Sequence, residues 1–453
     1  MDKHTPAKPS GRNVAIIAMF FLFAMISFVT NLAAPIGTIW QGSYSWAGMV
    51  GNFMNFFAYL IMGIPAGNML VRIGYKKTAL CAMATGVIGI FLQYLSSVIG
   101  ADTAVFSIDG NTVMFNFIIY LVGAFVSGFC VCMLNTVVNP MLNILGGGGN
   151  RGNQLIQLGG SLNSLTGTLT PLFVGMLIGT VTSRTSMTDV TPLLWIAMGV
   201  FVMAFVVISF VRIPEPNLIR KGGARIRYSH SPWNFRHTVL GVIGIFFYVG
   251  IEVGIPGVLI FYLSDSAVSG ISDNATAVAG AVAAVYWLLM LVGRLSSSAI
   301  SGRVSSRAQL IVVSSVAIIL VIAAILMPSS IRVSMPAYSV ENGFSMALVP
   351  VSALLLVLCG LCTSIMWGGI FNLAVEGLGK YTAQASGIFM MMVVGGGVMP
   401  LLQNAIATSA GYMTSYWLVA AMLVYLLYYA LSGSKNVNRD IPVAEEDEIP
   451  NAL

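Results

Sequence analysis

Twelve apolar runs follow one another along almost the whole chain. Many exceed the roughly 20 residues that an α-helix needs to cross the hydrocarbon core of a bilayer. The sequence therefore predicts an all-α membrane protein with twelve transmembrane helices. The predicted spans cover residues 14–40, 46–71, 78–100, 112–145, 152–181, 190–213, 237–263, 274–300, 307–328, 345–375, 382–408 and 412–432.

Composition excludes a soluble protein. Hydrophobic residues make up 57% of the chain and charged residues only 8%, whereas roughly a quarter of the residues of a soluble domain are charged. The net charge of +6 lies in loops between the runs, where membrane topology explains it, so we predict no nucleic-acid partner. The first run is too long for a signal peptide and lacks a small-residue cleavage site. The cysteines lie inside apolar runs without a second ligand pair, which favours buried reduced thiols and predicts no metal: Cys81, Cys130, Cys132, Cys359 and Cys362.

The basic residues predict the topology. If both termini are cytoplasmic, all but Arg184 and Arg332 of the 21 lysine and arginine residues lie on the cytoplasmic side, as the positive-inside rule expects. We therefore predict an integral protein of a bacterial inner membrane. The basic linker 214–236 separates two pseudo-symmetric six-helix bundles, 1–213 and 237–432, and the polar segment 433–453 is expected to be a disordered cytoplasmic tail.

One carboxylate lies deep inside an apolar run. Glu252 stands about 15 residues into the seventh span, which places it near the bilayer midplane. Pro256 and the surrounding glycines predict a kink or break there, and broken helices at the midplane often line a transport path. Glu252 is thus a candidate for binding substrate hydroxyls or a proton, and the alternative is a structural acid that holds the bundle together.

Uncharged polar side chains are frequent inside the spans. Amides and hydroxyls offer hydrogen-bond donors and acceptors with little ionic attraction, which suits a neutral, hydroxyl-rich solute such as a sugar. The same groups also join helices in membranes, so no single one is diagnostic. We expect several to face one water-accessible central cavity together with Glu252, and the candidates are Asn31, Asn135, Asn139, Gln157, Asn163 and Asn372.

Aromatic side chains add further candidates, because the C–H faces of sugars stack on rings. Tyr286 and Trp287 lie in the eighth span and Trp367 in the tenth, far from the membrane interfaces where tryptophan usually anchors a helix. Packing or lipid contact is the alternative role for all three.

The loop between the second and third spans carries the most specific motif. The segment 67–77 (GNMLVRIGYKK) resembles the loop signature of the major facilitator superfamily, in which this loop gates the conformational change. The resemblance implies gating roles for Arg72, Lys76 and Lys77, and Arg294 and Arg303 flank the corresponding turn of the second half. The acid that usually precedes the arginine is Val71 here, which weakens a charge-relay role for this loop.

Four further segments resemble the fucose permease branch of that superfamily, which includes glucose/galactose porters. They are 56–67 (FFAYLIMGIPAG), 134–140 (LNTVVNP), 248–253 (YVGIEV) and 376–387 (EGLGKYTAQASG). The likeness extends over spans one to eleven in matching order. It implies a twelve-helix fold and sugar–proton symport through a central cavity.

Two departures from this branch concern coupling. The family usually carries an aspartate in the first span and a glutamate opening the motif of the fourth, where this chain has Asn31 and Asn135. An amide cannot release a proton, so we expect facilitated or weakly coupled transport. Desolvation also favours a neutral Glu252. The alternatives are proton coupling through Glu252 and coupling to sodium, which amides and carbonyls can ligate.

Other functions remain possible on the same pattern. The same fold could carry a nucleoside, a glycan fragment, a lipid-linked sugar or a drug. A membrane enzyme or a channel subunit is disfavoured, because the sequence has no HExxH motif, no Walker loop, no paired carboxylates and no histidine in the interior of a span. We expect a monomer that binds a small-molecule substrate and membrane lipid and needs no cofactor.

Overall fold

The structure is a computed structural model that describes residues 9–44, 47, 50–108, 110–178, 186–215, 230–271, 275–339 and 343–443. It is a bundle of long helices. Their bounds are α1 Pro9–Ser43, α2 Val50–Leu95, α3 Phe115–Leu145, α4 Gly149–Ile178, α5 Thr191–Phe210, α6 Arg236–Ser264, α7 Ser266–Ser269, α8 Ala275–Ile300, α9 Ser306–Leu326, α10 Val351–Ala374, α11 Thr382–Met391, α12 Gly395–Ala410 and α13 Tyr412–Tyr428.

Ten helical segments of the described chain are long and apolar enough to cross a membrane. One of them, α2, has 46 residues, about 70 Å at 1.5 Å per residue and roughly twice the thickness of a bilayer core. It is interrupted at Gly74, whose φ of 86° lies in the left-handed region that glycine tolerates. Both arms pack on the same part of α3. Asn55 of the first arm lies next to Gly128 of α3, and Gly89 of the second arm lies next to Ser127 of α3. Those ten segments count α2 once and do not include the 30-residue α4. When the second arm of α2 and α4 are added, the bundle has the twelve spans that the sequence predicts.

The ends of the bundle differ. One end, the termini end, carries the start of α1, the turn at Gly74, both edges of the linker and residues 434–443. The opposite end, the hairpin end, carries two antiparallel β-hairpins. Their strands are β1 Ala104–Ile108, β2 Asn111–Met114, β3 Arg332–Ser339 and β4 Gly343–Pro350.

The hairpins correct two predicted spans. Residues 112–114 and 345–350 were expected to begin the fourth and tenth spans, but they belong to strands β2 and β4, and α3 and α10 begin only at Phe115 and Val351. Both strands are apolar enough to extend a hydrophobic run. Asp-Gly at 109–110 and Asn-Gly at 342–343 are typical hairpin signals, so the sequence contained the information that separates strand from helix here.

The tail prediction is wrong for residues 434–443. The Lys380 amide donates to the carbonyl of Val443 at 3.2 Å, the Arg236 amide donates to Asn438 at 3.0 Å, and Ile441 and Val443 pack on the apolar core. These apolar contacts and backbone bonds order the segment. Residues 444–453 and the linker core 216–229 lie outside the described residues, as do Arg184 and Trp46.

Two smaller expectations also differ from the structure. The prediction for the seventh span was a kink or a break at Pro256. Helix α6 runs without interruption from Arg236 to Ser264 and contains Pro256, so the break is wrong and the kink stays a prediction. Gly250 and Gly254 serve close packing, because a Cβ on Gly250 would lie 2.5 Å from Met399 and one on Gly254 2.3 Å from Gln403. Cys81 is exposed on the bundle surface, whereas the other four thiols are buried, and all five are unpaired.

Candidate functional site between the two halves

The site lies where the first half of the chain (9–215, the N half) meets the second (230–443, the C half). Its centre is an ion pair between α6 and α8: Nη2 of Arg294 lies 3.0 Å from Oε1 of Glu252. Both side chains are largely buried, with 10% and 15% of their surfaces exposed. It is the one ion pair recorded between described residues. Buried charges are costly unless they are paired and hydrogen-bonded, and each of these side chains gains its partner here.

Arg294 also reaches across to the N half. Its Nη1 donates to the carbonyl of Gly160 at 3.0 Å and to the hydroxyl of Ser164 at 2.7 Å, both on α4. Its Nε donates to the carbonyl of Ser364 on α10 at 3.3 Å. A Cβ at Gly160 would lie in ordinary van der Waals contact with the arginine side chain, 3.4 Å from its Cδ. One guanidinium thus joins three helices to its own.

Neutral amides make the next contacts between the halves. Nε1 of Trp367 donates to Oδ1 of Asn139 at 3.0 Å, and Nε2 of Gln157 donates to the carbonyl of Ile365 at 2.8 Å. Closer to the termini end, Nδ2 of Asn143 donates to Oδ1 of Asn372 at 2.7 Å. Asn139, Gln157, Trp367 and Asn372 are therefore brought together at one interface, as parts of contacts between the halves.

The remaining predicted binding residues of the N half form hydrogen bonds within that half. Asn31 donates to the carbonyl and the hydroxyl of Ser27 one turn earlier on α1. Asn135 donates to the Tyr59 hydroxyl at 2.9 Å, and Asn163 to the carbonyl of Phe23 at 3.3 Å. In this conformation these amides join helices of one bundle.

The two aromatic candidates on α8 are placed differently from each other. Tyr286 is fully buried, and its hydroxyl lies 2.9 Å from that of Thr363 inside the C half. Trp287 is 40% exposed and lies seven residues before Arg294, hence on the same side of the helix. Trp367 packs on Tyr248 with ring centroids 6.1 Å apart, and Tyr248 lies one turn before Glu252. The ring of Tyr248 on α6 therefore adjoins the charged pair, and Trp367 of α10 packs against that ring.

The predicted gating residues separate into two groups. Arg72, Lys77 and Arg303 are exposed, and in the described part of the chain no hydrogen bond or ion pair joins them to the opposite half. Lys76 binds the carbonyl of Ser209 at 2.6 Å within the N half. Arg294 was grouped with these loop cations because it lies near the end of an apolar run, but its guanidinium is inside the bundle. Its bonds to Glu252 and to α4 show that it does not belong with the loop cations.

A carboxylate at the motif loop was not among the residues predicted from the sequence. Glu215 accepts hydrogen bonds from the amides of Tyr75 and Lys76 at 2.6 and 2.9 Å, at the start of the second arm of α2. A carboxylate at a helix N-terminus satisfies free amides and interacts favourably with the helix dipole. The loop thus has an acid although Val71 occupies the usual position. Glu215 could have been found from the sequence, because it is the single acid of a basic linker and lies next to the end of a span.

The hydrogen bonds seen between described residues of the two halves lie toward the termini end. In the N half they involve the last third of α3 and the part of α4 up to Ser164. In the C half they involve the last third of α8 and its following turn, the second half of α10 and the start of α11. On the other flank, Gly63 and Gly67 of α2 pack directly on the backbone of α11. The interface is therefore closed at the termini end in this conformation.

A model described as Major Facilitator Superfamily matches residues 14–398. The chain is 28% identical over 438 residues to the glucose/galactose transporter of Brucella abortus, with 93% of this chain and 94% of the relative covered. It is 27% identical over 440 residues to a putative glucose/galactose transporter of Helicobacter pylori, with 93% and 96% covered.

Likeness to solved structures concerns the fold. A crystal structure of the Escherichia coli fucose:proton symporter superimposes with a TM-score of 0.75 at 18% identity, covering 94% of this chain and all of that one. A second structure of that symporter, described as being in the outward conformation, gives a TM-score of 0.71 at 18% identity, with 93% of this chain and all of that one covered.

Proposed function

Because the chain belongs to the Major Facilitator Superfamily and is an integral membrane transporter, we propose that it carries a sugar or a similar neutral, hydroxyl-rich solute by alternating access. The observation that carries this proposal is the composition of the interface between the halves. Its charged groups, Glu252 and Arg294, neutralise each other, and the groups around them are amides, hydroxyls and the ring of Trp367.

This chemistry fits a polyol better than an ion. A carboxylate and a guanidinium that are already paired leave no excess charge to attract an ionic substrate, yet both form strong hydrogen bonds with hydroxyls. An indole ring beside them offers a flat apolar face. The relatives named as glucose/galactose transporters support the same class of cargo.

The closed termini end defines the state of the transporter within this proposal. Under the positive-inside topology both termini are cytoplasmic. The hydrogen bonds between the halves, which lie toward the termini end, then support an outward-facing state of a protein in a bacterial inner membrane.

For coupling, we propose facilitated or weakly coupled transport. Asn31 and Asn135 are hydrogen-bonded amides without a titratable proton. Glu252 is the mid-span carboxylate, and its partner Arg294 must be released or rearranged before a proton can replace that interaction. Proton coupling through Glu252 and sodium coupling are the competing mechanisms.

Purified protein in liposomes tests the function. With labelled hexose outside, we expect saturable downhill uptake and exchange that an excess of unlabelled hexose inhibits. With equal hexose on both sides, an imposed pH gradient or sodium gradient should produce little accumulation. Liposomes without protein provide the blank.

Each outcome of this assay has a distinct meaning. Strong accumulation that an uncoupler abolishes would contradict weak coupling, and its loss in E252Q would identify Glu252 as the coupling acid. Accumulation driven by sodium alone would indicate a sodium symporter. Absence of hexose transport together with saturable nucleoside or drug transport would overturn the sugar assignment and retain the fold.

A further inference from the structure

Arg294 is the one charged side chain of the described chain that is both ion-paired and hydrogen-bonded to the two halves. Two of its partners, Glu252 and the carbonyl of Ser364, belong to the C half. The other two, the carbonyl of Gly160 and the hydroxyl of Ser164, belong to α4 of the N half. The side chain itself is only 10% exposed.

These partners cannot all be kept when the halves separate at the termini end. Glu252 and Ser364 move with Arg294 because they belong to the same bundle, whereas Gly160 and Ser164 move away with α4. The guanidinium then loses both acceptors of its Nη1 group. A buried cation that loses hydrogen bonds must find new ones or draw in water, because unsatisfied donors of a charged group are costly.

We propose that Arg294 is a positioning residue that links the orientation of the Glu252 carboxylate to closure of the termini end. When that end is closed, the guanidinium is fixed between α4 and Glu252 and holds the carboxylate in one place beside the interface. When that end opens, Arg294 is free to change its bond to Glu252, and the carboxylate changes its availability to substrate. The link between this residue and cargo binding rests on the proposed function; its effect on closure does not.

The proposal predicts that loss of Arg294 and loss of Glu252 have different consequences. Arg294 touches both halves, so R294Q should weaken closure and also impair substrate binding. The recorded bond of Glu252 is to Arg294 within the C half, so E252Q should impair binding and change closure less. S164A removes one of the two acceptors on α4 and should give a smaller shift toward opening than R294Q.

A thiol reporter measures closure without any substrate. Ala383 is fully buried on α11, where its carbonyl adjoins Gly67 of α2, so A383C should react with a polar thiol reagent only when the termini end opens. The exposed Cys81 is replaced by serine in this background, since the other native thiols are buried. We expect R294Q to raise the reaction rate by roughly tenfold or more, because two charge-assisted bonds between the halves are lost.

Arg307 provides the matched control. Its Nε donates to the carbonyl of Ala430 at 2.9 Å, and its Nη2 to that of Leu431, so it binds carbonyls of the C half alone. R307Q should lower stability without raising the reactivity of A383C. R294K, which keeps the charge but not the planar donor array, should restore closure partly.

Equal reactivity of A383C in R294Q, R307Q and the parent protein would overturn the proposal. So would an R294Q variant whose hexose KM is unchanged while E252Q raises it, because Arg294 would then not position the carboxylate. If R294Q raises the reactivity of A383C but no hexose is bound by any variant, closure by Arg294 stands and the sugar assignment fails. Detergent thermal stability of every variant separates misfolding from a shift in conformation.

Discussion

On one flank of the interface α2 meets α11 through glycines, and on the other flank α4 meets α8 and α10 through polar side chains. On the first, a Cβ on Gly63 would lie 2.5 Å from the amide nitrogen of Met391, and one on Gly67 2.9 Å from the Cα of Gly387. On the second, Gln157 and Arg294 form hydrogen bonds across the interface. Contact on the first flank joins backbone to backbone and depends on the shapes of the two helices. Contact on the second flank depends on hydrogen bonds, which a solute or water can replace.

This difference indicates a division of roles. The glycine flank gives close contact that can re-form without rearranging side chains, as small residues do at helix interfaces in membranes. The polar flank adjoins Glu252 through Arg294, so a solute that binds that carboxylate would act on this flank directly. Arg72 of the motif loop is exposed, so charge in that loop does not contribute to closure of the glycine flank through the contacts described.

The largest effect is expected from a bulky residue on the glycine flank. In G63L the side chain would meet the backbone of Met391 and Gly387, which cannot move aside as a flexible side chain can. We expect more than tenfold loss of hexose exchange and a highly reactive A383C reporter, because the termini end cannot close. G199A is the control, since a Cβ at Gly199 meets nothing within 4 Å. Normal exchange in G63L would refute the shape dependence of this flank.

The corresponding glycine on the polar flank should be more tolerant. A Cβ on Gly368 would lie 2.7 Å from Nε2 of Gln157 and 2.9 Å from Oδ1 of Asn153, which are the ends of flexible side chains. G368A should therefore reduce exchange a few-fold, through loss of the bond from Gln157 to Ile365, and much less than G63A. Equal losses in the two alanine variants would remove the distinction between the flanks.

A moderate effect is expected from the amide pair at the termini end. Replacing Asn143 or Asn372 by alanine removes the 2.7 Å bond between them and should weaken closure by about 1 kcal/mol, a typical net value for one hydrogen bond. The A383C reaction rate measures it. The double variant N143A/N372A should cost less than the sum of the two single variants, because each single variant leaves a buried amide without its partner and the double variant removes both amides. Strict additivity would argue against direct pairing.

The smallest effect on closure is expected from Glu215, which contacts the N half alone. E215A removes the two bonds to the amides of Tyr75 and Lys76 and should lower stability by about 0.5–2 kcal/mol, as for loss of a helix N-cap. Thermal unfolding in detergent measures this loss. Reactivity of A383C should stay near that of the parent, and a large rise would show that the motif loop takes part in closure.

The sequence predicted the spans well because they follow from apolar length alone. Glu252 was identifiable for a similar reason: an acid in the middle of an apolar run is costly and stands out. Its partner was not identifiable, because Arg294 lies close to the end of its apolar run, where basic residues usually mark the cytoplasmic side. The break at Gly74 was predictable from the basic residues beside it.

The contacts across the interface were beyond sequence reasoning. Asn139 and Trp367 were both candidates, but 228 positions separate them and only the fold brings them into contact. Gly63 and Gly387 carry no polar signal, and their role depends on the approach of two backbones. Tyr286 was expected beside substrate because it is aromatic and central, yet its side of α8 faces the interior of the C half.

The most direct test of the account is to lock the closed end. Cysteines replace Asn143 and Asn372, whose side chains meet across the interface, in the background in which Cys81 is serine, and a short bifunctional thiol reagent with a reducible bond joins them. Alternating access predicts that cross-linking abolishes hexose exchange in liposomes, that hexose binding persists from the open side, and that reduction restores exchange. Hexose exchange at the normal rate by fully cross-linked protein would contradict the account, because transport would then not require this interface to open.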